Sequence, residues 1–135
     1  MASVVLTDAY ISIGGNVLSS RGISVALDYS AELLDETAFG DTTRTRLGGL
    51  KDWTLTLSMH EDYAASQLDS ILFPLVGTIV ALEVRPTSGA VSTSNPKYTG
   101  NGVFGTYPAL TGGVGELAKT DIKFEAAGAL TRATA

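Results

Sequence analysis

Only a few side chains in this sequence could carry out acid–base or nucleophilic chemistry. The chain has one histidine, His60, followed directly by Glu61 and Asp62, and it has no cysteine. A hydrolytic site needs a nucleophile, a base and a group that orients the base. Ser58 and His60 share one face of a predicted strand, but a Ser–His pair at this spacing is more often accidental than catalytic. The sequence therefore does not predict an enzyme.

Motifs for metals and cofactors are equally sparse. His60 and Asp62 could join a remote carboxylate in a metal site, but no ligand-spacing motif supports one. The glycine pairs at residues 48–49 and 112–113 are not followed by the Lys and Ser or Thr of a phosphate-binding loop, and we interpret them as turn glycines. We expect no catalytic residue, no metal and no cofactor.

The charged residues between positions 28 and 51 are more informative. A solvated surface of mixed sign is the ordinary interpretation of such a segment. Here, however, the two signs occupy opposite ends of one connection, which also suits head-to-tail contact between identical subunits in rings or filaments. Complementary charge at such a contact fixes register and partner choice. The acidic residues are Asp28, Glu32, Asp35, Glu36 and Asp41, and the basic residues that follow are Arg44, Arg46 and Lys51.

Two strands with alternating polarity must position this segment. In residues 23–33 and 53–61, apolar and polar side chains alternate with the period of two that places them on opposite faces of a strand. Trp53, Leu55 and Leu57 lie on the apolar face and are predicted to be core. The connection, about residues 35–51, has neither the strand nor the helix period. It is predicted to be a long loop, which is usually functional or mobile.

The chain as a whole has the length of one domain, residues 1–135. Its 15 glycines and many Ser and Thr residues favour an all-β fold, which we predict to be a β-sandwich or barrel of two packed antiparallel sheets. One short flanking α-helix is expected after an N-cap at Asp62, with Leu68, Ile71 and Leu72 packed on the sheet. Residues 127–135 are predicted to be a short tail that is free or lies on a neighbour.

Charge and composition limit the partners. The net charge of −5 argues against direct binding of nucleic acid, because phosphates are bound by Lys and Arg, but it is compatible with a channel through which DNA passes. The lack of cysteine fits assembly in a reducing cytoplasm. No apolar run approaches the roughly 20 residues of a membrane span, and the first ten residues lack the pattern of a signal peptide. We therefore expect neither membrane insertion nor export.

Residues 23–86 resemble the tail tube (major tail) proteins of long-tailed bacteriophages. The resemblance rests on a strand, the loop ETAFGDTTRTRLGGLKD, the alternating strand WTLTLSMHEDY, a short helix and a strand reading TIVALEVRP. Its most specific parts are the segments TAFG, at residues 37–40, and GLKD, at residues 49–52. The resemblance implies a structural virion protein of the phage tail, assembled in the bacterial cytoplasm. Six copies would form a ring with a shared inner β-barrel, and stacked rings would make the tube through which DNA is ejected.

The resemblance also implies roles for particular residues. In the family the long loop contacts adjacent subunits and rings, so it would place these residues at interfaces: Glu36, Thr37, Phe39, Asp41, Arg44, Arg46 and Leu50. We further hypothesise that the polar faces of the two alternating strands line the lumen of the tube. The candidate lumen-lining residues are Ser24, Asp28, Ser30, Glu32, Thr54, Thr56, Ser58 and His60.

Other partners and other functions stay open at this point. A tail tube would also meet a tail terminator, a tape measure protein and a distal tail protein, with DNA present only in transit. An alternative is another phage component of similar fold, such as a tail terminator, a baseplate ring or a capsid decoration protein. A further alternative is a glycan-binding β-sandwich module, which needs exposed aromatic residues on a flat face. The candidates for that face are Tyr10, Tyr29, Tyr98 and Tyr107.

Overall fold

A computed structural model describes residues 3–135 of the chain. Strands dominate it, joined by turns, longer loops, one short α-helix and two single turns of 3₁₀ helix at Ser19–Arg21 and Phe73–Leu75. No helix within residues 3–135 is long and apolar enough to cross a membrane. The regular elements are β1 (Tyr10–Ile13), β2 (Asn16–Val17), β3 (Gly22–Asp35), β4 (Arg46–His60), α1 (Leu68–Leu72), β5 (Ile79–Arg85), β6 (Lys97–Phe104), β7 (Lys119–Ala126) and β8 (Thr131–Ala133).

The strands form one continuous antiparallel sheet with the order β2-β1-β5-β6-β7-β4-β3, and β8 pairs with β6. The last residues of β6, 102–104, pair with β7, whereas its first residues, 97–99, pair with β8. The sheet divides at this point, and its two halves face each other across the core. The predicted all-β fold with one short flanking helix is confirmed. Its two packed layers are the two halves of one continuous sheet.

The core is formed by the apolar faces that alternation predicted. Trp53, Leu55, Leu57 and Met59 on β4 are buried, and the Trp53 Nε1–H donates to the Gly128 carbonyl at 2.8 Å. Strands β1, β5 and β7 contribute their own alternate residues to the same cluster. The other core residues are Ile11, Ile13, Leu18, Leu68, Leu72, Val80, Leu82, Val84, Phe104, Ile122 and Phe124.

Glycines in β6 leave room for core side chains of other strands. A Cβ at Gly100 would lie 2.8 Å from the Trp53 ring, and a Cβ at Gly102 would lie 2.9 Å from the Leu82 side chain. Both distances are too short for real side-chain contacts. The backbone approach that glycine permits in a strand therefore explains these two residues.

The helix begins later than predicted. It spans Leu68–Leu72, and Gln67 rather than Asp62 occupies the N-cap position. Asp62 instead organises the preceding turn, because its Oδ1 accepts the Ala64 N–H at 3.0 Å and its carbonyl accepts the Asp69 N–H at 3.0 Å. An Asp that bonds to the N–H two residues later forms a turn, which competes with helix at that point. The expected packing is nevertheless present, with Leu68 and Leu72 buried and Ile71 against the core.

The predicted loop at residues 35–51 is much shorter in the structure. Strand β3 continues to Asp35 and β4 begins at Arg46, so only residues 36–45 form the loop. Sequence alternation fails here because of a β-bulge: the register shifts between Ala31 and Leu33, where β4 carries one extra residue. Gly48 and Gly49 are therefore strand residues at the bulge, not turn residues, and Arg46 and Leu50 also lie in β4.

The C-terminal residues are also not a free tail. Strand β8 pairs Thr131 with Thr99 and Ala133 with Lys97, and the Ala127 N–H donates to the Asn101 carbonyl at 2.9 Å. Leu130 packs against the core next to these contacts. The segment therefore completes the chain's own sheet, and the prediction of a free tail was wrong; contact with a neighbouring subunit stays a prediction.

Candidate assembly surfaces

One face of the sheet, formed by β3, β4 and β7, is polar and lies opposite the core; we call it the three-strand polar face. The eight candidate lumen-lining residues lie on it, because cross-strand partners in a sheet share a face. Ser30 stands opposite Asp52, Glu32 lies at the bulge beside Gly49, and His60 pairs with Lys119. The three central rows are Asp28, Thr54 and Glu125; Ala26, Thr56 and Lys123; and Ser24, Ser58 and Asp121.

Strand β7 contributes a third polar row that the sequence prediction did not include. Its residues alternate with the core residues of β7, so their spacing in the sequence indicates a polar face; they are Lys119, Asp121, Lys123 and Glu125. The Lys123 Nζ lies 3.1 Å from a Glu125 carboxylate oxygen. The polar face therefore mixes both signs, and acidic residues from β3 and β4 add to it.

The residues considered for catalysis are not brought together as a catalytic site. The Ser58 hydroxyl donates to the Asp121 carboxylate rather than to His60. The His60 Nδ1 is buried and lacks a hydrogen-bond partner within residues 3–135. No group of three or more His, Cys, Asp or Glu side chains in that range could hold a metal ion. Ser58 and His60 are instead neighbours on the polar face, two residues apart on one strand.

The outer part of the β3–β4 hairpin projects from the body as a two-stranded ribbon, formed by residues 30–35 and 46–52. Strand β7 pairs with β4 only from Thr54 onward, so no third strand within residues 3–135 supports this ribbon. At about 3.3 Å per residue it spans roughly 20–25 Å. Its exposed apolar residues lie on both faces, since Leu33 and Leu34 are adjacent in β3 and Leu34 pairs with Leu47. Isolated two-stranded ribbons are at best marginally stable, so this one is suited to contact with another molecule.

The loop at the end of the ribbon, residues 36–45, is held by its own hydrogen bonds. The Thr37 N–H donates to Asp35 Oδ1 at 2.9 Å, and the Ala38 N–H donates to Asp41 Oδ2 at 2.8 Å. Across the loop, the Thr45 N–H donates to the Thr37 hydroxyl at 2.9 Å. The loop is thus braced by contacts within its own copy, yet Phe39 at its end is fully exposed, at 108%.

Several charges of this loop have partners within the same copy. Arg44 forms an ion pair with Asp35 at 2.9 Å, and Asp41 accepts the Ala38 N–H. Hydrogen bonds from the Thr37 side chain and backbone, with a smaller effect from Arg44, lower the pKa of Asp35. The physical reason is simple: the two ends of a hairpin loop are distant in sequence but adjacent in space. The interface role of Glu36, Thr37, Phe39, Asp41, Arg44, Arg46 and Leu50 stays a prediction.

A separate acidic cluster lies at the opposite end of β4. The Tyr107 hydroxyl is 2.8 Å from Glu61 Oε2 and 2.8 Å from Asp69 Oδ1. A hydroxyl has one proton and can donate to only one carboxylate, so the second short contact requires a proton on a carboxyl group. Burial raises the pKa of Glu61, and the negative charges of Asp69 and Asp62 raise it further, although hydrogen bonds from Tyr107 and Asp62 oppose this. Burial and the two carboxylates also raise the pKa of Tyr107, which keeps its hydroxyl proton.

We expect the Glu61→Gln variant to melt at a higher temperature than the original protein near neutral pH. Because the folded-state pKa of Glu61 is raised, its favourable contribution is present at acid pH and is lost as the pH rises through that value. A Gln amide donates to Tyr107 as the protonated carboxyl does, at every pH. Melting curves from acid to neutral pH measure the difference, which should grow with pH. Glu36→Gln, at an exposed loop position, is the control; a constant difference for Glu61→Gln would contradict the assignment.

The tyrosines considered for glycan binding do not form a flat exposed face. Tyr10, Tyr98 and Tyr107 are each partly buried, whereas Tyr29 is exposed. The Arg85 guanidinium lies 4.2 Å from the centre of the Tyr10 ring, and the Tyr107 hydroxyl is bonded as described above. These side chains are therefore largely engaged within the protein.

Sequence comparisons do not identify a relative of this chain. A scan against protein-family models finds no match, and neither does a search of curated protein sequences. The fold, by contrast, is shared with several solved structures, all at low sequence identity.

Three solved structures illustrate this likeness. A chain of the virion of a native gene transfer agent (GTA) particle is 18% identical with a TM-score of 0.73, covering 96% of this chain and 98% of that one. A chain of the tail of an empty GTA particle is 18% identical with a TM-score of 0.69, covering 94% of both. The SPP1 tail tube subunit is 8% identical with a TM-score of 0.76, covering 98% of this chain and 80% of that one. The expected tail-tube fold is therefore confirmed: the chain has the fold of the SPP1 tail tube and the GTA tail.

Proposed function

We propose that this protein is the major tail tube subunit of a phage-like particle. Copies associate side by side into rings, and the rings stack into a hollow tube through which DNA leaves the particle. The role is structural rather than catalytic. The similarity to assembled tail structures supports it, and one of those, the GTA tail, is described with sixfold symmetry. We accordingly expect hexameric rings for this chain.

The observation that carries this proposal is the open edge of β3. Strand β3 ends the sheet and, within residues 3–135, has a strand partner only in β4. Its 14 residues leave a long row of unpaired backbone groups, which attracts other strands and is normally protected. Strand β7 is also incompletely covered, since β6 pairs only with its residues 124–126. A sheet that is open at both sides can continue from copy to copy, and closure into a ring removes the edges.

The three-strand polar face fits the wall of a channel for DNA. It lies opposite the core, and its side chains include Asp28, Glu32 and Asp52 from β3 and β4. A lumen with a net acidic wall repels phosphate and allows DNA to slide without binding, unlike the basic groove of a DNA-binding protein. We therefore assign the eight candidate residues and the β7 row to the lumen.

Reversing two of these charges is expected to impair DNA passage without preventing assembly. In the Asp28→Lys, Glu32→Lys variant, the added lysines attract phosphate where the original side chains repel it. Electron microscopy should show normal tubes, while DNA delivery by particles built with the variant should fall. The control adds lysines at Thr93 and Ser94, which are exposed in a loop away from this face. Normal delivery by the Asp28, Glu32 variant would argue against a lumenal position.

Electron microscopy of the purified protein is the direct test of the proposed function. Long tubes with a central channel would support it. Single rings that do not stack would instead indicate a tail terminator or another ring component, which are the main alternatives. Monomers at all concentrations and salt conditions would contradict both.

The proposal extends to partners and location. A tube of this kind requires a terminator at one end, a distal tail protein at the other and a tape measure protein inside during assembly. Its subunits belong to the virion and assemble in the cytoplasm of the bacterial host. Purification of the particle followed by identification of the proteins that co-purify with the tube tests these assignments.

A further inference from the structure

The loop between β6 and β7, residues 105–118, is a second surface with apolar side chains that nothing else in the described part of the chain covers. Leu110, Val114 and Leu117 are 85%, 109% and 73% exposed. Glycines surround them, and Gly112 and Gly115 adopt φ angles of +151° and +83°, which side chains disfavour. Three large apolar residues that are at least 73% exposed within eight positions are unusual for a monomer and are typical of an interaction site.

This loop is firmly attached at its base. The Thr120 hydroxyl donates to the Pro108 carbonyl at 3.0 Å, and the Tyr63 hydroxyl donates to the Ala109 carbonyl at 2.6 Å. On the other side, the Glu61 N–H donates to the Ala118 carbonyl at 3.0 Å. The exposed part is also internally bonded, since the Gly113 N–H donates to Glu116 Oε2 at 3.1 Å. The apolar residues are therefore presented from a fixed base, so little order is lost when a partner binds.

The position of this loop relative to Phe39 is set by the strand register. Strand β7 begins at Lys119, opposite His60, which is the last residue of β4. The loop that carries Phe39 ends just before Arg46, the first residue of β4. The two apolar loops thus lie at opposite ends of one strand, roughly 45 Å apart at about 3.3 Å per residue.

We propose that the β6–β7 loop of one copy receives the Phe39 loop of the next copy along the tube axis. Two different surfaces at opposite ends of a molecule make a head-to-tail contact, and repetition of that contact gives a filament rather than a closed dimer. The inference rests on the proposed tube function and adds the receiving surface. Phe39 is the anchor, since aromatic residues packed by a ring of apolar neighbours commonly dominate interfaces.

The chemistry of the two loops matches this pairing. In the Phe39 loop, Asp35 and Arg44 neutralise each other and Asp41 caps a backbone N–H. In the receiving loop, Glu116 caps Gly113 in the same manner. Both loops therefore use most of their charge internally and offer apolar side chains outward. The projecting ribbon supplies the reach that carries Phe39 beyond the body of its own copy.

Cysteine cross-linking tests the contact directly, because the chain has no cysteine of its own. Phe39→Cys is combined in turn with Leu110→Cys, Val114→Cys or Leu117→Cys, tubes are assembled under reducing conditions, and a short bismaleimide is added. At least one pair should give a ladder of covalent oligomers on a denaturing gel, whereas each single variant should stay monomeric. A pair of Phe39→Cys with Thr93→Cys, in a distant loop, is the control and should also stay monomeric.

A charge in the receiving loop gives an independent measurement. Val114→Asp places a carboxylate where Phe39 is expected, and it should raise the protein concentration needed for tubes at least about tenfold. Circular dichroism should be unchanged, since Val114 is fully exposed, and Thr93→Asp should assemble as the original protein does.

The outcomes separate the two proposals. Tubes with a ladder from a Phe39 pair support both. If tubes form but none of the three pairs gives a ladder, or if Phe39→Cys alone gives one, the β6–β7 loop is not the receiving surface. The proposed tube function is unaffected by that result. Original protein that never forms tubes overturns the tube function itself, together with the inference that depends on it.

Discussion

Replacing residues 37–44 by Asn-Gly is expected to give a folded protein that no longer forms tubes. The dipeptide favours the tight turn that joins two antiparallel strands, and it would close the ribbon between Glu36 and Thr45, whose backbones already bond at 2.9 Å. The loop contributes no buried residue to the core, so its loss should leave the sheet intact. A shorter connection is also tolerated, since each doubling of loop length is worth only about 0.6 kcal/mol.

Assembly should fail because the variant lacks Phe39 and the braced loop that presents it. Circular dichroism and thermal melting measure folding, while electron microscopy and sedimentation measure tubes. The Phe39→Ser variant is the matched control, because it keeps the hydrogen bonds of Thr37 and Asp41. Any loss of tube formation in this variant is caused by removal of the aromatic side chain. Tubes of normal length from the Asn-Gly variant would refute a role of this loop in stacking.

The parts of the fold that could be predicted are those set by alternation of side chains. Alternation predicts Trp53, Leu55 and Leu57 to be core because every second residue in that strand is apolar, and a period of two is typical of a strand with one buried face. The polar face followed from the same pattern. The all-β class and the short helix are likewise predicted by local features of the sequence, namely the many turn residues and one segment with helical periodicity.

The parts that could not be predicted depend on register and on pairs distant in sequence. A one-residue bulge in β4 beside Glu32 breaks the alternation of apolar and polar side chains. Residues 46–52 therefore lack the sequence pattern of a strand, although they form one. Nothing in the charges of Asp35 and Arg44 distinguishes a partner across the same loop from a partner on another copy. The strand β8 has only three residues, too few for any period, and its pairing with β6 is a tertiary effect.

The β6–β7 loop was missed for a different reason. Leu110, Val114 and Leu117 are visible in the sequence, but apolar residues in an irregular segment can be buried or exposed. Exposure depends on whether the loop folds over the body, and contacts distant in sequence, such as those of Thr120 with Pro108 and Tyr63 with Ala109, take part in this. The sequence therefore contained the residues of this surface without a pattern that would reveal it.

The Leu55→Ala variant is expected to lose about 2–5 kcal/mol of folding free energy, which is much of the stability of a domain this size. Leu55 is buried between its cross-strand neighbours Leu27 and Phe124. Truncation leaves a cavity there that the rigid sheet cannot close. The expected fall in melting temperature is about 10–20 °C.

Leu33→Ala is the matched control, because it removes the same atoms from a side chain that is 68% exposed on the ribbon. Its melting temperature should change little, since exposed substitutions cost less than about 0.5 kcal/mol. If the ribbon mediates stacking, however, the Leu33 variant should assemble poorly while the Leu55 variant, at a temperature where it is folded, should still form tubes. The two variants would then show that folding and assembly depend on different leucines. Equal melting temperatures for both variants would show that the apolar faces have been assigned the wrong way round.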